Sequence, residues 1–339
     1  SREVIYIQLN KSLNTYLFKL IVMTKITFLG TGEAFAPLRD TKKYGKGKAT
    51  TSYLIEDYHP GSKSIMVDAG YSAVASLSSL LANQGRKFAD VPDIFLLTHG
   101  HGDHYGGFPA LLMSIWEEVN GVVGDDKRGK ERKLEVISAN QRILPKHIDQ
   151  MIKQATGLEN PLERMAWLSM EEDYEGFFER FKTQGPTLSY RMLNPGGDSV
   201  GEGISKFNIT AAPTKHGAPN MAYRFDSRGS FAISGDGSLT DESKKLFQGI
   251  DLLIHEGFDI LKDSYGTNHA SVKDVVNYAI EAEIPSVAII HANRQERMKL
   301  REIKSEIKKA EKNGVFLVFP NDHWNAEVYG DARGALFFD

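Results

Sequence analysis

Phe95-Leu-Leu-Thr-His99-Gly-His101-Gly-Asp103-His104-Tyr-Gly-Gly107 is the stretch on which the reading of this chain turns. Four metal-capable side chains, His99, His101, Asp103 and His104, stand within six residues. They follow Asp93 to Leu97, an apolar run of the kind buried strands show, and precede a helical segment, Phe108 to Val119. A strand end projects alternate residues to one side, so His99 and His101 can grip one ion while the loop swings Asp103 and His104 onto a neighbour. Glycines at 100, 102, 106 and 107 are expected to permit the sharp backbone geometry this needs. Three imidazoles and a carboxylate so close together are hard to explain as solvated surface.

Working outward, three later apolar runs also end in metal-capable residues. His216 follows Phe207 to Ala212, Asp236 follows Phe231 to Ser234, and His291 follows Val287 to Ile290. Singly, a His or Asp at a strand end usually just caps a turn; downstream of the His99 loop they read as the missing ligands of a two-ion site. Composition narrows the chemistry further. The chain has 339 residues and no cysteine, which excludes disulfides, Cys-based zinc ribbons, iron–sulfur clusters and thiol nucleophiles. Lys+Arg 41 against Asp+Glu 44 gives a net charge of -3, which argues against an overall polycation built to coat nucleic acid.

Strand signals at Lys25 to Leu29, Thr51 to Glu56 and Ser64 to Asp68 suggest a meander, followed by a helix over Tyr71 to Gly85. Further strands are expected at Leu134 to Ser138, Leu188 to Leu193, Lys206 to Ala212, Met221 to Phe225, Ser230 to Ser234, Asp251 to Ile254, Val287 to Ile290 and Gly314 to Phe319. Helices are expected over Ser271 to Glu281 and over the charged segment Gln295 to Lys312, which is read as a solvated amphipathic helix. Both halves move from strands to strand–loop–helix units. That plan predicts an α/β fold with two sheets face to face and helices outside, a four-layer αββα sandwich. Residues 1–23 are expected to be an N-terminal extension, and 24–339 one domain with a helical insertion at about 113–186, rich in large side chains over 159–181. No stretch approaches a membrane span and no secretory signal is seen, so a soluble, cytoplasmic protein is expected.

The chain resembles the metallo-β-lactamase superfamily, whose hallmark is this HxHxDH loop, and within it the ribonuclease Z group and related phosphodiesterase-type hydrolases. Three further features carry the likeness: Phe28-Leu-Gly-Thr-Gly-Glu-Ala-Phe35, Leu253-Ile-His255-Glu256-Gly, and Asn268-His269-Ala-Ser-Val-Lys-Asp-Val. The resemblance implies the αββα metallo-β-lactamase fold and two divalent metal ions, usually zinc, with manganese or iron(II) compatible with the same donors. It assigns His99, His101 and His216 to the first ion, Asp103, His104 and His291 to the second, and Asp236 to a bridging role. Glu256 and His269 are implied as a proton-donating pair near the leaving oxygen, with His255 beside them. The expected activity is that of a binuclear phosphodiesterase using a metal-bridging hydroxide, with Asp103 also orienting the nucleophile or accepting its proton.

The group's tRNA-gripping arm follows its third metal histidine. Only Gly217 to Gly235 separates His216 from Asp236 here, so that arm has no room. A small or medium phosphodiester is therefore expected over pre-tRNA, with RNA still compatible, and the resemblance implies a homodimer. The competing readings are another ester class (lactone, thioester, sulfate ester or β-lactam) and a metal-binding relative without catalysis, which should have lost a ligand. Gly30-Thr31-Gly32 is expected to turn the backbone beside the cleft. Arg39, Lys42, Lys43, Lys46 and Lys48 form either a phosphate-facing or a solvated basic loop, and His59, His147 and His323 receive no role.

Overall fold

Alternation along the strands sorts the apolar side chains into three clusters, and those clusters define the layers. The computed structural model describes residues 23–33, 48–57, 62–119, 133–138, 187–192, 208–227, 229–261, 268–293, 295–329 and 334–338. The first sheet contains β1 (Met23–Gly30), β2 (Ser52–Asp57), β3 (Ile65–Val67), β4 (Ile94–Leu97), β5 (Lys133–Ser138) and β6 (Thr187–Met192), and also β13 (Asn325–Tyr329) and β14 (Ala335–Phe338). Its order is β14-β13-β1-β2-β3-β4-β5-β6. The second contains β7 (Asn208–Thr214), β8 (Asn220–Asp226), β9 (Ser230–Ile233), β10 (Leu252–Glu256), β11 (Ser286–Ile290) and β12 (Phe316–Val318), in the order β12-β11-β10-β9-β8-β7.

Ile94 and Leu96 of β4, Met221, Tyr223 and Phe225 of β8, and Leu252 and Ile254 of β10 point into one cluster between the sheets. Their alternate neighbours point outward. Phe95 and Leu97 pack with Leu77, Leu81 and Leu111 of helices α1 (Ala73–Gln84) and α3 (Phe108–Val119). Leu253 and Val287 pack with Val275, Ala279 and Ala310 of α5 (Val272–Glu281) and α6 (Leu300–Lys312). Such period-2 sorting fixes register, because a one-residue slip would turn each inward side chain outward. The four layers expected from the sequence are therefore present: helices, sheet, sheet, helices.

β3 to β6 run parallel, as do β9 to β12. Open α/β sheets bind ligands at the carboxyl ends of such strands, where the chain leaves the sheet into loops. The sheets are tied together at this edge by Tyr223, whose hydroxyl donates to the Leu97 carbonyl at 2.7 Å, and by the Met221 N–H to the Thr98 carbonyl at 3.2 Å.

The structure adds elements that the sequence reading lacked. β13 pairs with β1 and β14 with β13, so β1 is an interior strand. A short helix, α4 (Asp241–Leu246), has a capping box between Thr240 and Ser243. The charged segment 295–312 is also not one helix: a 3-10 turn at Glu296–Met298 comes first, and α6 starts at Leu300. The Glu296 carboxylate accepts the Ile260 N–H at 3.1 Å, which holds that turn against the neighbouring loop. Within the span 113–186, residues 113–119 complete α3 and 133–138 form β5, between β4 and β6. The rest of that span, including 159–181, lies outside the described residues, as do residues 1–22, Arg39, Lys42, Lys43, Lys46, His59 and His147.

Candidate metal centre

After Leu97 the chain places Thr98, His99 and Gly100, then turns once as α2 (Gly102–Tyr105), with His101 as its N-cap. One helical turn sets Asp103 and His104 side by side on its inner aspect. The glycines serve close approach here, since none of Gly102, Gly106 and Gly107 has a positive φ. A Cβ on Gly102 would lie 2.1 Å from the Tyr71 hydroxyl, and one on Gly107 would lie 2.4 Å from the Gly70 carbonyl.

His216 leaves the end of β7, Asp236 the end of β9 and His291 the end of β11. The Asp236 turn does need glycine conformations: Gly235 and Gly237 have φ 60° and 110°. Asn220 holds that turn by accepting the Asp236 N–H at 3.3 Å and donating to the Ser234 carbonyl at 3.0 Å. His291 itself adopts φ 55°, a left-handed conformation that non-glycine residues rarely take. Its N–H is anchored on the Thr31 carbonyl at 3.0 Å, which places the Gly30-Thr31-Gly32 segment beside the cleft, though as the extended end of β1 with a bridge from Gly32 to Thr50 and not as the expected turn.

Two groups of donors converge. His99, His101, His216 and Asp236 offer atoms within 4.8 Å of one another, and so do Asp103, His104, Asp236 and His291. Asp236 belongs to both, with one oxygen 3.3 Å from His104 Nε2 and the other 3.8 Å from His99 Nε2 and 3.4 Å from His291 Nε2. His101 Nδ1 and His216 Nε2 are 3.1 Å apart, and His291 Nε2 is 3.3 Å from Asp103. Tetrahedral nitrogen and oxygen donors at ~2.0–2.1 Å from zinc stand ~3.3–3.4 Å from each other, so the spacing suits a divalent ion in each group. Burial supports this: His99 Nε2, His104 Nε2 and Asp236 Oδ1 are buried without a hydrogen-bond partner. Each such orphan costs ~1–3 kcal/mol unless something fills the space.

Outer partners set the tautomers. Asp68 accepts the Thr98 N–H at 2.8 Å, the Thr98 hydroxyl at 2.7 Å and His104 Nδ1–H at 2.7 Å. The Thr98 hydroxyl also lies 3.1 Å from His99 Nδ1, so it can accept that N–H while donating to Asp68. His216 Nδ1–H donates to the Asn268 carbonyl at 2.9 Å. His99, His104 and His216 are thereby left with Nε2 facing the gap, as metal-binding imidazoles are usually arranged. Asp68 escaped the sequence reading, although it ends β3 much as the candidate ligands end their own strands.

Burial and a ring of neighbouring imidazoles hold His99 well below the usual histidine range, so it is neutral and ready to ligate. His104 and His291 go the other way. Burial pulls both down, but the charges of Asp236 and the other carboxylates outweigh it and hold His104 well above its ordinary value and His291 up to about 10. Asp236 stays ionised despite its burial, because His291 and His104 face it.

Glu256 Oε2 accepts His269 Nδ1–H at 2.8 Å. Its Oε1 accepts the N–H groups of Gly237 and Ala270. A carboxylate so fully used by the protein is an anchor, which speaks against a further ion among Asp236, Glu256, His269 and His291. Burial lowers the basicity of His269, but the Glu256 hydrogen bond and charge more than offset this and hold its pKa above the ordinary value. Phe258, absent from the sequence reading, stacks on the His269 ring at 4.5 Å between centroids.

His255 does not join this pair. It alternates with Glu256 on β10 and faces the helix layer, its ring 6.0 Å from Phe247 and its Nδ1–H on the Glu256 carbonyl at 2.8 Å. His323 also stands apart, beside Ser76 at 3.3 Å. Lys48, read as part of a phosphate-facing or solvated loop, instead donates to the Thr31 hydroxyl at 3.0 Å and the Pro320 carbonyl at 2.9 Å.

Among known proteins, Ribonuclease BN of Escherichia coli strain K12 is 26% identical over 330 residues, covering 87% of this chain and 99% of its own. The crystal structure of the metallo-beta-lactamase fold protein YhfI from Bacillus subtilis superposes with a TM-score of 0.62 at 17% identity, over 90% of this chain and 99% of that one. The short form of human tRNase Z superposes with a TM-score of 0.56 at 16% identity, over 89% and 98%. A family model described as the Metallo-beta-lactamase superfamily matches residues 45–248, a span that holds the His99 loop, His216 and Asp236. With the four-layer sandwich and the donors gathered at its strand ends, that match establishes that the chain belongs to the metallo-β-lactamase superfamily.

Proposed function

We propose that this protein is a binuclear metal-dependent phosphodiesterase of the ribonuclease Z-like kind. The observation that carries the reading is the Glu256–His269 pair, set beside two donor groups that share Asp236. His99, His101, His216 and Asp236 would hold one divalent ion, and Asp103, His104, His291 and Asp236 the other, with zinc best suited to the spacing. Bound there, such ions lower the pKa of a water between them and neutralise charge on a phosphoryl group.

The chain's own residues supply the rest. Asp103, within 3.3 Å of His291 Nε2 and 3.6 Å of His104 Nε2, is placed to orient an attacking water and take its proton. His269, whose protonated form Glu256 favours, can release the Nε2 proton to a leaving oxygen; a positioned acid of this kind is worth ~10²–10⁴-fold. A thioester expels a thiolate that needs no such acid, whereas an alkoxide does, which favours phosphodiesters over thioesters. The relatives named as ribonucleases support the same substrate class.

The test is turnover of bis-p-nitrophenyl phosphate beside a lactone and a thioester, with and without a chelator, together with metal analysis. Diester turnover that chelation abolishes and zinc restores is expected, with about two ions per chain. Preference for the lactone, or fewer than one ion per chain in intact protein, overturns the reading.

A further inference from the structure

An RNA strand needs phosphate contacts beyond the metal cleft. Helix α6 offers a place. Its apolar face, with Ile303, Ile307 and Ala310, packs on the second sheet, and Glu306 is buried beside it. At ~100° per residue, the opposite arc carries Arg301, Lys304, Ser305, Lys308 and Lys312, all exposed. Arg301, Lys304, Ser305 and Lys308 line a groove of about 450 Å³. Among the described residues, Arg301, Lys304, Lys308 and Lys312 make no salt bridge; Lys309, by contrast, is engaged by Glu306 and Asn277. Arg301 stands in the first turn, where the helix dipole disfavours a cation, so helix stability does not explain it.

The stripe leads to the metal cleft. β11 ends at Ile290, just before His291 on the cleft edge, and α6 begins at Leu300 and runs back along the sheet to β12, so the Arg301 end of the stripe is the end nearer the cleft. Lys48 touches Thr31, whose carbonyl anchors the His291 N–H. Burial lowers the Lys48 pKa to about 8 against the opposing pull of Asp322, and Arg297, four residues before Arg301, is close enough that its charge adds to that lowering. From Arg301 to Lys312 the track extends ~16 Å, room for several phosphates.

We propose that this stripe is an exosite for the phosphate backbone of single-stranded RNA, guiding it toward the metal cleft; this rests on the phosphodiesterase reading for its choice of polyanion. An anionic membrane is a poorer match, because the exposed arc presents no apolar side chain to insert and the helix's apolar face is already used.

The test compares the full-length protein with the triple variant Arg301→Glu, Lys304→Glu, Lys308→Glu. Binding of a labelled single-stranded RNA of ~12 nucleotides is followed by anisotropy across a salt series in the presence of chelator, so that the strand is not cut. The expected result is affinity lower by about tenfold or more and a log–log salt slope shallower by ~2, three lost contacts at ~0.7 each. Turnover of bis-p-nitrophenyl phosphate, which is too small to reach the stripe, is expected to stay within about twofold. If the charge reversal unfolds the protein, the Gln triple variant serves, with the same slope change expected. Unchanged RNA affinity and slope overturn the exosite, as does loss of binding to phosphatidylserine vesicles without loss of RNA binding. If the wild type cleaves no diester but RNA binding still falls in the variant, the phosphodiesterase reading fails and the exosite stands.

Discussion

Asp68 and Thr98 show how much of a candidate metal site is decided by residues outside its donor groups. The chain from His99 through the Thr98 hydroxyl to Asp68, and from Asp68 to His104, fixes one ring nitrogen of each histidine as a donor and frees the other. Asp68→Asn keeps the shape, but whichever way the amide is turned its nitrogen faces a donor, His104 Nδ1–H or the Thr98 N–H, and cannot accept from it. Affinity for the second ion is expected to fall ~10–100-fold, and for the first less, with the fold intact, as measured by competitive zinc titration. Glu256 is argued in the same way. Against the pull of burial, its hydrogen bond and charge raise the His269 pKa above the ordinary histidine value, so activity on a poor leaving group should decline as pH rises through that raised value. In Glu256→Gln the charge is gone while burial remains, so the alkaline limb should move to lower pH; a limb that stays in place removes His269 from the acid role. The candidate ligands were legible because HxHxDH packs four donors into one turn and the other three end apolar runs. Asp68, Asn220 and Phe258 were not, because their roles are contacts across distant parts of the chain, without local spacing.

Between elements, the connection from β12 to β13 reaches back to the ligand His291. The Asp322 carboxylate accepts the Thr31 N–H at 3.0 Å, the Thr31 hydroxyl at 2.9 Å and the Ala49 N–H at 2.6 Å. Thr31 in turn anchors His291, which is held at a φ that costs ~1–3 kcal/mol and persists only where its surroundings over-determine it. Asp322→Ala leaves two backbone donors and a lysine without their acceptor or counter-charge. We expect weaker binding of the second ion, a first site close to wild type, and a loss of ~1–3 kcal/mol in stability by denaturant melts. Equal loss at both sites would point to general loosening and not to a clamp on His291. The sequence left this device unread, along with the C-terminal hairpin. β13, Asn-Ala-Glu-Val-Tyr, has only two inward apolar residues, Ala326 and Val328, and its partner β1 is some three hundred residues away in the chain. The strands of both sheet interiors were legible because they are continuous apolar runs, buried on both faces.

At the scale of the molecule, the donors come from both sheets: His99, His101, Asp103 and His104 from the first, His216, Asp236 and His291 from the second. Ions held there stitch the two sheets together at the one edge where the strands give way to loops. Metal binding should therefore stabilise the whole fold, by ~4 kcal/mol for an ion at a thousand times its dissociation constant. This gain depends on pH with a definite sign. Without metal, the carboxylates hold His104 and His291 protonated, the latter up to about 10, so at neutral pH an ion must displace their protons to reach Nε2. Binding then releases protons, and apparent affinity rises with pH until the imidazoles lose their protons unaided. The zinc-dependent rise in melting temperature should accordingly be larger at pH 8 than at pH 6, and titration calorimetry in buffers of different ionisation enthalpy should show net proton release at pH 7. The raised histidine also acts on the metal-free protein: its protonated form favours the fold below about pH 6.5, and that contribution fades as pH climbs toward the folded value. Metal-free protein should thus lose stability between pH 6.5 and 10 from this term while the metal-bound form gains relative to it. A zinc-induced shift that is the same at both pH values would mean that His104 and His291 are already neutral before the ion arrives and that the carboxylates do not hold their protons.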